Sequence, residues 1–180
     1  MLKSTCVKWM LVGAVAPVLL GVSRWVPGAG PWLLGAAPAG AQTPAPPRAQ
    51  TPETTAAALL RLVNAERQRV NAPPLTLDDS LMAAAQGHAQ DMATSGRMSH
   101  TGSDGSTLRS RIDGTRYSWS TIGENVAMGQ PTAAAVMTAW MNSPGHRQNI
   151  LNPAFTELGI GYAVGAGQRP YWAQVFARPR

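Results

Sequence analysis

The chain has 180 residues, with 15 Lys and Arg against 9 Asp and Glu and a formal net charge of +6. Lys3, Lys8 and Arg24 fall in an apolar leader, which leaves 12 arginines against 9 acids; these are spread from Arg48 to Arg180 with no run or stripe that would follow a phosphate backbone, so no nucleic-acid partner is expected. Cys6 is the only cysteine, so the chain beyond the leader has neither an internal disulfide nor a thiol nucleophile, and its domain must be held by its core.

Residues 1–41 read as a signal peptide. Lys3 and Lys8 make a short positive region, residues 9–22 are an apolar run of 14, and Ala39-Gly40-Ala41 has the small side chains that signal peptidase reads. A membrane anchor is the competing reading, but the apolar run is shorter than the ~20 residues a spanning helix needs. Cleavage near Gly21-Val22-Ser23 is an alternative to cleavage after Ala41. The expected location is therefore secreted or periplasmic, with no membrane span in the mature chain. Residues 42–50, rich in Pro, Ala and Gln, read as a linker, and residues 51–180 as one domain, expected to be a monomer.

A first helix opens with Thr51 as cap, Pro52 at the first turn and Glu53 near the positive end of the dipole. Leu59, Leu62, Val63 and Val70 fall on one face, and the helix should end before Pro73-Pro74. A second helix starts at Asp78 or Asp79 and runs to Ser95, with Gly96 as its stop; its stripe of Leu81, Met82, Ala85, Ala89 and Met92 is core. Residues 97–105 form a polar loop, residues 106–112 a short helix capped by Ser106, and residues 121–128 are ambiguous between strand and turn. A third long helix covers residues 132–141 and is ended by Pro144. Residues 158–164 and 171–177 are strands joined as a hairpin. Helices first and a hairpin last give an α+β class.

Two imidazoles and a carboxylate are the minimum set for a zinc site of catalytic type, and His100, Glu124 and His146 supply those types. Their spacing is no local ligand motif, so the weight rests on context. His100 lies in the polar loop, and His146 follows Pro144-Gly145 at a helix break. Glu124 stands among Ile122, Val126 and Met128, where a buried carboxylate requires a partner or a pocket; locking a loop through backbone N–H groups is its alternative role. Asn125 reads as a turn-tying amide, and His88, at the edge of the second helix's apolar stripe, as a packing or hydrogen-bonding residue.

The order of Asn64-Ala65-Glu66-Arg67, His88-Ala89-Gln90-Asp91-Met92, Ser99-His100, Gly123-Glu124-Asn125, Ser143-Pro144-Gly145-His146-Arg147, Leu158-Gly159-Ile160-Gly161 and Trp172-Ala173-Gln174-Val175-Phe176 resembles the bacterial branch of the CAP superfamily, the SCP-like extracellular proteins, over residues 54–176. The resemblance implies an α-β-α sandwich, with a small antiparallel sheet between helices and a central cleft lined by two histidines and two acidic residues, where some members bind zinc. Carried over by motif, the histidines fall on His100 and His146 and the first acid on Glu124, with Asn125 beside it in the cleft. The second acid falls on Ser143, a departure that lowers the ligand set to at most two histidines and Glu124. Zinc is the one cofactor implied.

Three roles are compatible with this reading. The first is a secreted, non-catalytic module that binds a lipid, a cell-wall polymer or a partner. The second is a zinc-dependent hydrolase using His100, Glu124 and His146. The third is a structural envelope protein held by its basic surface. Ser143, the absence of His-Glu-x-x-His and the absence of Gly-x-Ser-x-Gly all weigh against an enzyme.

Overall fold

The computed structural model describes residues 52–180, and side chains from Thr55 onward. The expectations for residues 1–41, for the linker at 42–50 and for the Thr51 cap lie outside these residues.

Helix α1, Pro52–Arg69, buries Ala56, Leu59 and Val63, spaced by three and four as one helical face requires. Val70, expected on that face, lies past the helix end and is 49% exposed. The face is continued instead by Arg67, four residues after Val63, which is fully buried. Asn71, at φ 57°, turns the chain in the left-handed region, which asparagine tolerates better than most residues. Asn64 then clamps the following segment through both of its amide atoms, donating to the Leu75 carbonyl at 2.9 Å and accepting from the Leu75 N–H at 2.8 Å.

Strand β1, Thr76–Leu77, had no periodic signal in the sequence. Helix α2, Asp79–Ser95, starts and stops where its local chemistry predicts: Asp78 accepts the Leu81 N–H at 2.9 Å, and Gly96 closes it at φ 69°. Helix α3, Leu108–Asp113, is capped by Thr107 rather than Ser106. Thr107 wins because it forms a reciprocal box with Ser110, each side chain meeting the other's backbone N–H.

Strand β2, Trp119–Met128, resolves the ambiguous segment as the longest neighbour of the hairpin. Helix α4, Ala133–Met141, is capped by Thr132. Pro144, expected only to end α4, instead opens helix α5, Pro144–Leu151, because its fixed φ and missing N–H suit a first helical position. Strands β3, Glu157–Gly165, and β4, Arg169–Pro179, contain the two expected strands.

The sheet order is β1-β3-β4-β2. β4 pairs antiparallel with both β2 and β3, and β1 adds two residues parallel to β3. Residues alternate along β4: Trp172 and Phe176 join one core with Leu59, Val63, Val136, Trp140 and Ile150, while Tyr171, Ala173, Val175 and Ala177 join a second with Leu81, Ala85, Met92 and Ile112. The sheet therefore separates α1, α4 and α5 from α2 and α3, which is the α-β-α sandwich. α2 rests directly on β3, because Gly159 and Gly161 present no side chains to it; a Cβ at Gly161 would fall 2.1 Å from the Ala85 carbonyl oxygen. α2 also serves the exposed edge of β3: Gln86 bonds both the N–H and the carbonyl of Tyr162, and the Met82 sulfur takes the Ile160 N–H at 3.1 Å. Among the described residues no helix is long and apolar enough to cross a membrane.

Candidate functional site

Neighbouring side chains on a strand point to opposite faces, and Gly123-Glu124-Asn125 uses this to reach both helical layers at once. Glu124, opposite Val175 on β4, faces the α2 and α3 layer. Asn125, opposite Gln174, faces the α4 and α5 layer. Gly123 lies on the Asn125 side, and a Cβ there would come within 2.9 Å of Phe155 and 3.3 Å of the Asn149 side chain. Glycine is what lets those two groups close over the strand.

The Glu124 side chain is only 3% exposed, so its charge has to be met inside the protein. His100 Nδ1 lies 2.7 Å from Oε1, and Arg111 donates to Oε2 at 2.6 Å. Arg111 also bonds the carbonyls of His100 and Ser106, so the same guanidinium that neutralises Glu124 holds the His100 loop. His88, fully buried, pairs through Nε2 with the Ser99 carbonyl at 2.8 Å and lies 3.9 Å from Glu124 Oε2. It is a hydrogen-bonding residue that fixes the backbone just before His100.

On the other face, Asn125 is fully buried and does not line an open cleft, contrary to expectation. It donates to the His146 carbonyl at 3.1 Å and to Gln174 Oε1 at 3.2 Å, and it accepts from Asn149 at 2.9 Å. Asn149 also donates to the Glu124 carbonyl at 3.1 Å. This amide cluster fastens α5, and with it His146, to β2. Ser143 occupies the N-cap of α5 without a side-chain capping bond.

The imidazoles differ in their environments. Hydrogen bonding to Glu124 raises the pKa of His100 above its ordinary 6.5, against a smaller opposing effect of burial. Burial lowers that of His88, and burial followed by repulsion from His100 lowers that of His146. NMR titration of the ligand-free protein is expected to show His100 protonating above pH 6.5 and His88 and His146 below it. The stability contributed by the His100 pair is thus complete below the unfolded value and lost as pH rises through the folded one. His88 and His146 contribute in the opposite sense, with stability falling as pH drops below 6.5. Glu124→Gln should move the His100 midpoint down; an unmoved midpoint would show that the carboxylate does not hold the imidazole.

The arrangement can be tested against zinc. Among the described residues no three His, Cys, Asp or Glu side chains are grouped to hold a metal ion. Both Glu124 oxygens are already engaged, by His100 and by Arg111, so the three-ligand set of His100, Glu124 and His146 does not fit. What is present is an imidazole, His100, whose Nδ1 is oriented by a carboxylate. Sequence reasoning required a partner for Glu124 but did not identify Arg111, nor the roles of Asn149 and Gln174.

Residues 60–176 match the model of the cysteine-rich secretory protein family, CAP. The chain is 41% identical over 118 residues to the Bacillus subtilis protein YkwD, covering 66% of this chain and 45% of that protein. The crystal structure of an extracellular protein containing an SCP domain from Bacillus anthracis superposes with a TM-score of 0.62 at 29% identity, covering 78% of this chain and 45% of that one. An outer surface protein of Borrelia burgdorferi shares the fold, with a TM-score of 0.67 at 22% identity over 72% of this chain and 96% of its own. The chain thus spans less than half the length of its Bacillus relatives.

Proposed function

Because this chain belongs to the CAP family, we propose that it is exported and works outside the cytoplasm as a non-catalytic module, binding an envelope or extracellular ligand at the face formed by His100, His146 and Ser143. The observation that carries this reading is the state of Glu124. A general base needs a lone pair within reach of a substrate proton. The Glu124 carboxylate is buried, with one oxygen bonded to His100 and the other to Arg111, so its charge orients and neutralises its neighbours. His100, with 61% of its side chain exposed, and half-buried His146 are then presented for recognition, on supports that hold the loop and α5 rigid. The extracellular Bacillus anthracis neighbour supports the location.

Sedimentation of the purified protein with cell-wall sacculi and, separately, with lipid vesicles tests the reading. Binding to one of them that is lost in the His100→Ala, His146→Ala double variant is the expected result. Absence from both pellets would overturn it.

A second reading is favoured by the Glu124–His100 pair itself. His100 Nε2 and the His146 imidazole could hold Zn²⁺ with water completing the coordination, and zinc would then supply a Lewis acid at that face. Two protein ligands predict weak binding. Calorimetric titration should give one weak site that vanishes in His146→Ala and weakens as pH falls, since protonated imidazole cannot ligate. The absence of heat would remove zinc from the account.

A further inference from the structure

The side chains that carry charge to solvent are not spread evenly. Among residues 55–180, Arg61, Arg69, Arg97, Arg147 and Arg169 are balanced by Glu66, Asp78, Asp79, Asp91 and Asp104, none of them buried. The surplus lies at the end of the sheet where β2 begins and β4 finishes, with Trp119 opposite Pro179. There Arg109, Arg116, Arg178 and Arg180, all exposed, are set against only two acids, Asp113 and Glu157. Positions 109, 116, 178 and 180 form no run in the sequence; the fold gathers them, and a field that averages to little over the domain is concentrated in one place.

Two of these arginines are held in position. Arg109 lies over the indole of Trp119, its guanidinium carbon 5.4 Å from the ring centroid, and its Nε is 3.6 Å from Asp113. Asp113 in turn accepts the Trp119 indole N–H at 2.9 Å. Arg180 donates from Nε to the Trp119 carbonyl at 2.9 Å and from its backbone N–H to the Ser118 carbonyl at 3.1 Å. A guanidinium anchored through Nε keeps its terminal nitrogens for another acceptor, and a side chain already fixed loses less freedom on binding.

Both arginines line a cavity of about 210 Å³, completed by Asp113, Tyr117, Ser118 and Trp119. The Tyr117 hydroxyl is committed to Glu157, which leaves Ser118 to offer one to a ligand. An indole gives a flat apolar wall to the C–H face of a sugar ring, and a guanidinium pairs bidentately with a carboxylate. The lining therefore suits a ring that carries both hydroxyls and an acid group.

The exposure of the site favours a polymer. One exposed arginine contributes little on its own, so a single anion is poorly retained, whereas a chain with an acid on successive rings engages several arginines at once. A bilayer is disfavoured. None of the exposed large hydrophobic residues belongs to these segments, and Trp119 is half-buried beneath Arg109, so there is nothing to insert.

We propose that this end of the domain is a binding surface for an acidic polysaccharide, one ring seated against Trp119 and Ser118 with its carboxylate held by Arg109 and Arg180, and the neighbouring units met by Arg116 and Arg178. His100, Ser143 and His146 take no part, so the inference goes beyond the reading of that face and stands or falls separately from it.

The test is titration of the purified protein at low salt with an oligogalacturonate of about eight rings, long enough to span several arginines, followed by the Trp119 indole N–H signal in NMR. Its methyl ester, which is the same chain without the charge, duplex DNA and phosphatidylglycerol vesicles are the comparators. A saturable shift with a millimolar or tighter dissociation constant is expected for the acid, weakening as salt rises, and none for the ester. Arg109→Gln combined with Arg180→Gln should weaken binding at least about tenfold. Arg61→Gln combined with Arg147→Gln, which removes as much charge elsewhere, should change it less than about twofold. All four side chains are exposed, so both double variants should fold. His100→Ala should leave the affinity unchanged. No saturable shift with oligogalacturonate, equally tight binding of the ester, equal losses in the two double variants, or tighter binding to DNA or to the vesicles would overturn the proposal.

Discussion

Exchanging Arg67 for methionine is expected to destabilise the domain by about 3 kcal/mol or more, a large share of the ~5–15 kcal/mol that holds a typical domain together. The guanidinium is fully buried and has no carboxylate partner among the described residues. It donates instead to four carbonyls: Pro73 at 2.7 Å, Ile150 at 2.8 Å, Asn152 at 2.9 Å and Phe155 at 3.0 Å. Two of these lie at the end of α5, where the dipole favours a cation and the last carbonyls have no helical N–H to meet them, although that of Asn152 also accepts the Phe155 N–H at 3.3 Å. Burial lowers the Arg67 pKa from its ordinary value, the mark of a charge kept from water. Methionine fills much of the volume but leaves the acceptors bare, each buried orphan costing about 1–3 kcal/mol. Lysine should fail almost as badly, since one ammonium on a flexible stem cannot reproduce a planar fork. Urea unfolding measures both variants; midpoints within the equivalent of about 1 kcal/mol of the parent would show that these bonds are replaceable by water.

The second large effect is expected at Gly161. Alanine there would place its methyl 2.1 Å from the Ala85 oxygen and 2.4 Å from the Ala85 carbon, both backbone atoms that cannot rotate away. α2 would have to lift from β3, opening gaps along Leu81, Ala85, Ala89 and Met92, all buried. Such overpacking costs at least the ~1–3 kcal/mol of a crowded core, and disturbing a whole helix puts it at the upper end or beyond. Gly159→Ala meets the same obstacle at Leu81. The thermal midpoint should fall by roughly 10 °C or more for either, whereas Gly87→Ala, on the far side of the same helix, should raise it. A fall in all three would mean that the glycines matter for some reason other than contact.

How much of this was legible depends on how local the cause is. α2 could be read to within one residue, because Asp78 and Gly96 fix its ends by chemistry within one turn. α5 could not: it has one buried apolar residue, Ile150, so no periodicity announces it, and a proline that ends one helix looks the same as a proline that begins the next. The two-residue β1 exists because β3 offers it an edge and Asn64 clamps Leu75, both long-range facts. The same division runs through the site. That Glu124 needs a partner follows from its apolar neighbours, but Arg111 looks like any other dispersed arginine until the fold brings it back over 13 residues. That Asn125 must face away from Glu124 follows from strand alternation, and was hidden only because residues 121–128 were not recognisable as a strand.

The placement of the arginines also changes what the surface can attract. Among residues 55–180 there are 11 arginines and 8 acids, but Arg67 is interior and the Arg111–Glu124 pair cancels within the protein. An excess of only about two charges faces solvent. At physiological ionic strength, where fields fade over about 8 Å, so small a net charge gives little long-range attraction for an anionic polymer. Adhesion through charge, the third role open to the sequence, would then have to rest on local groupings of arginine rather than on the net charge of the domain.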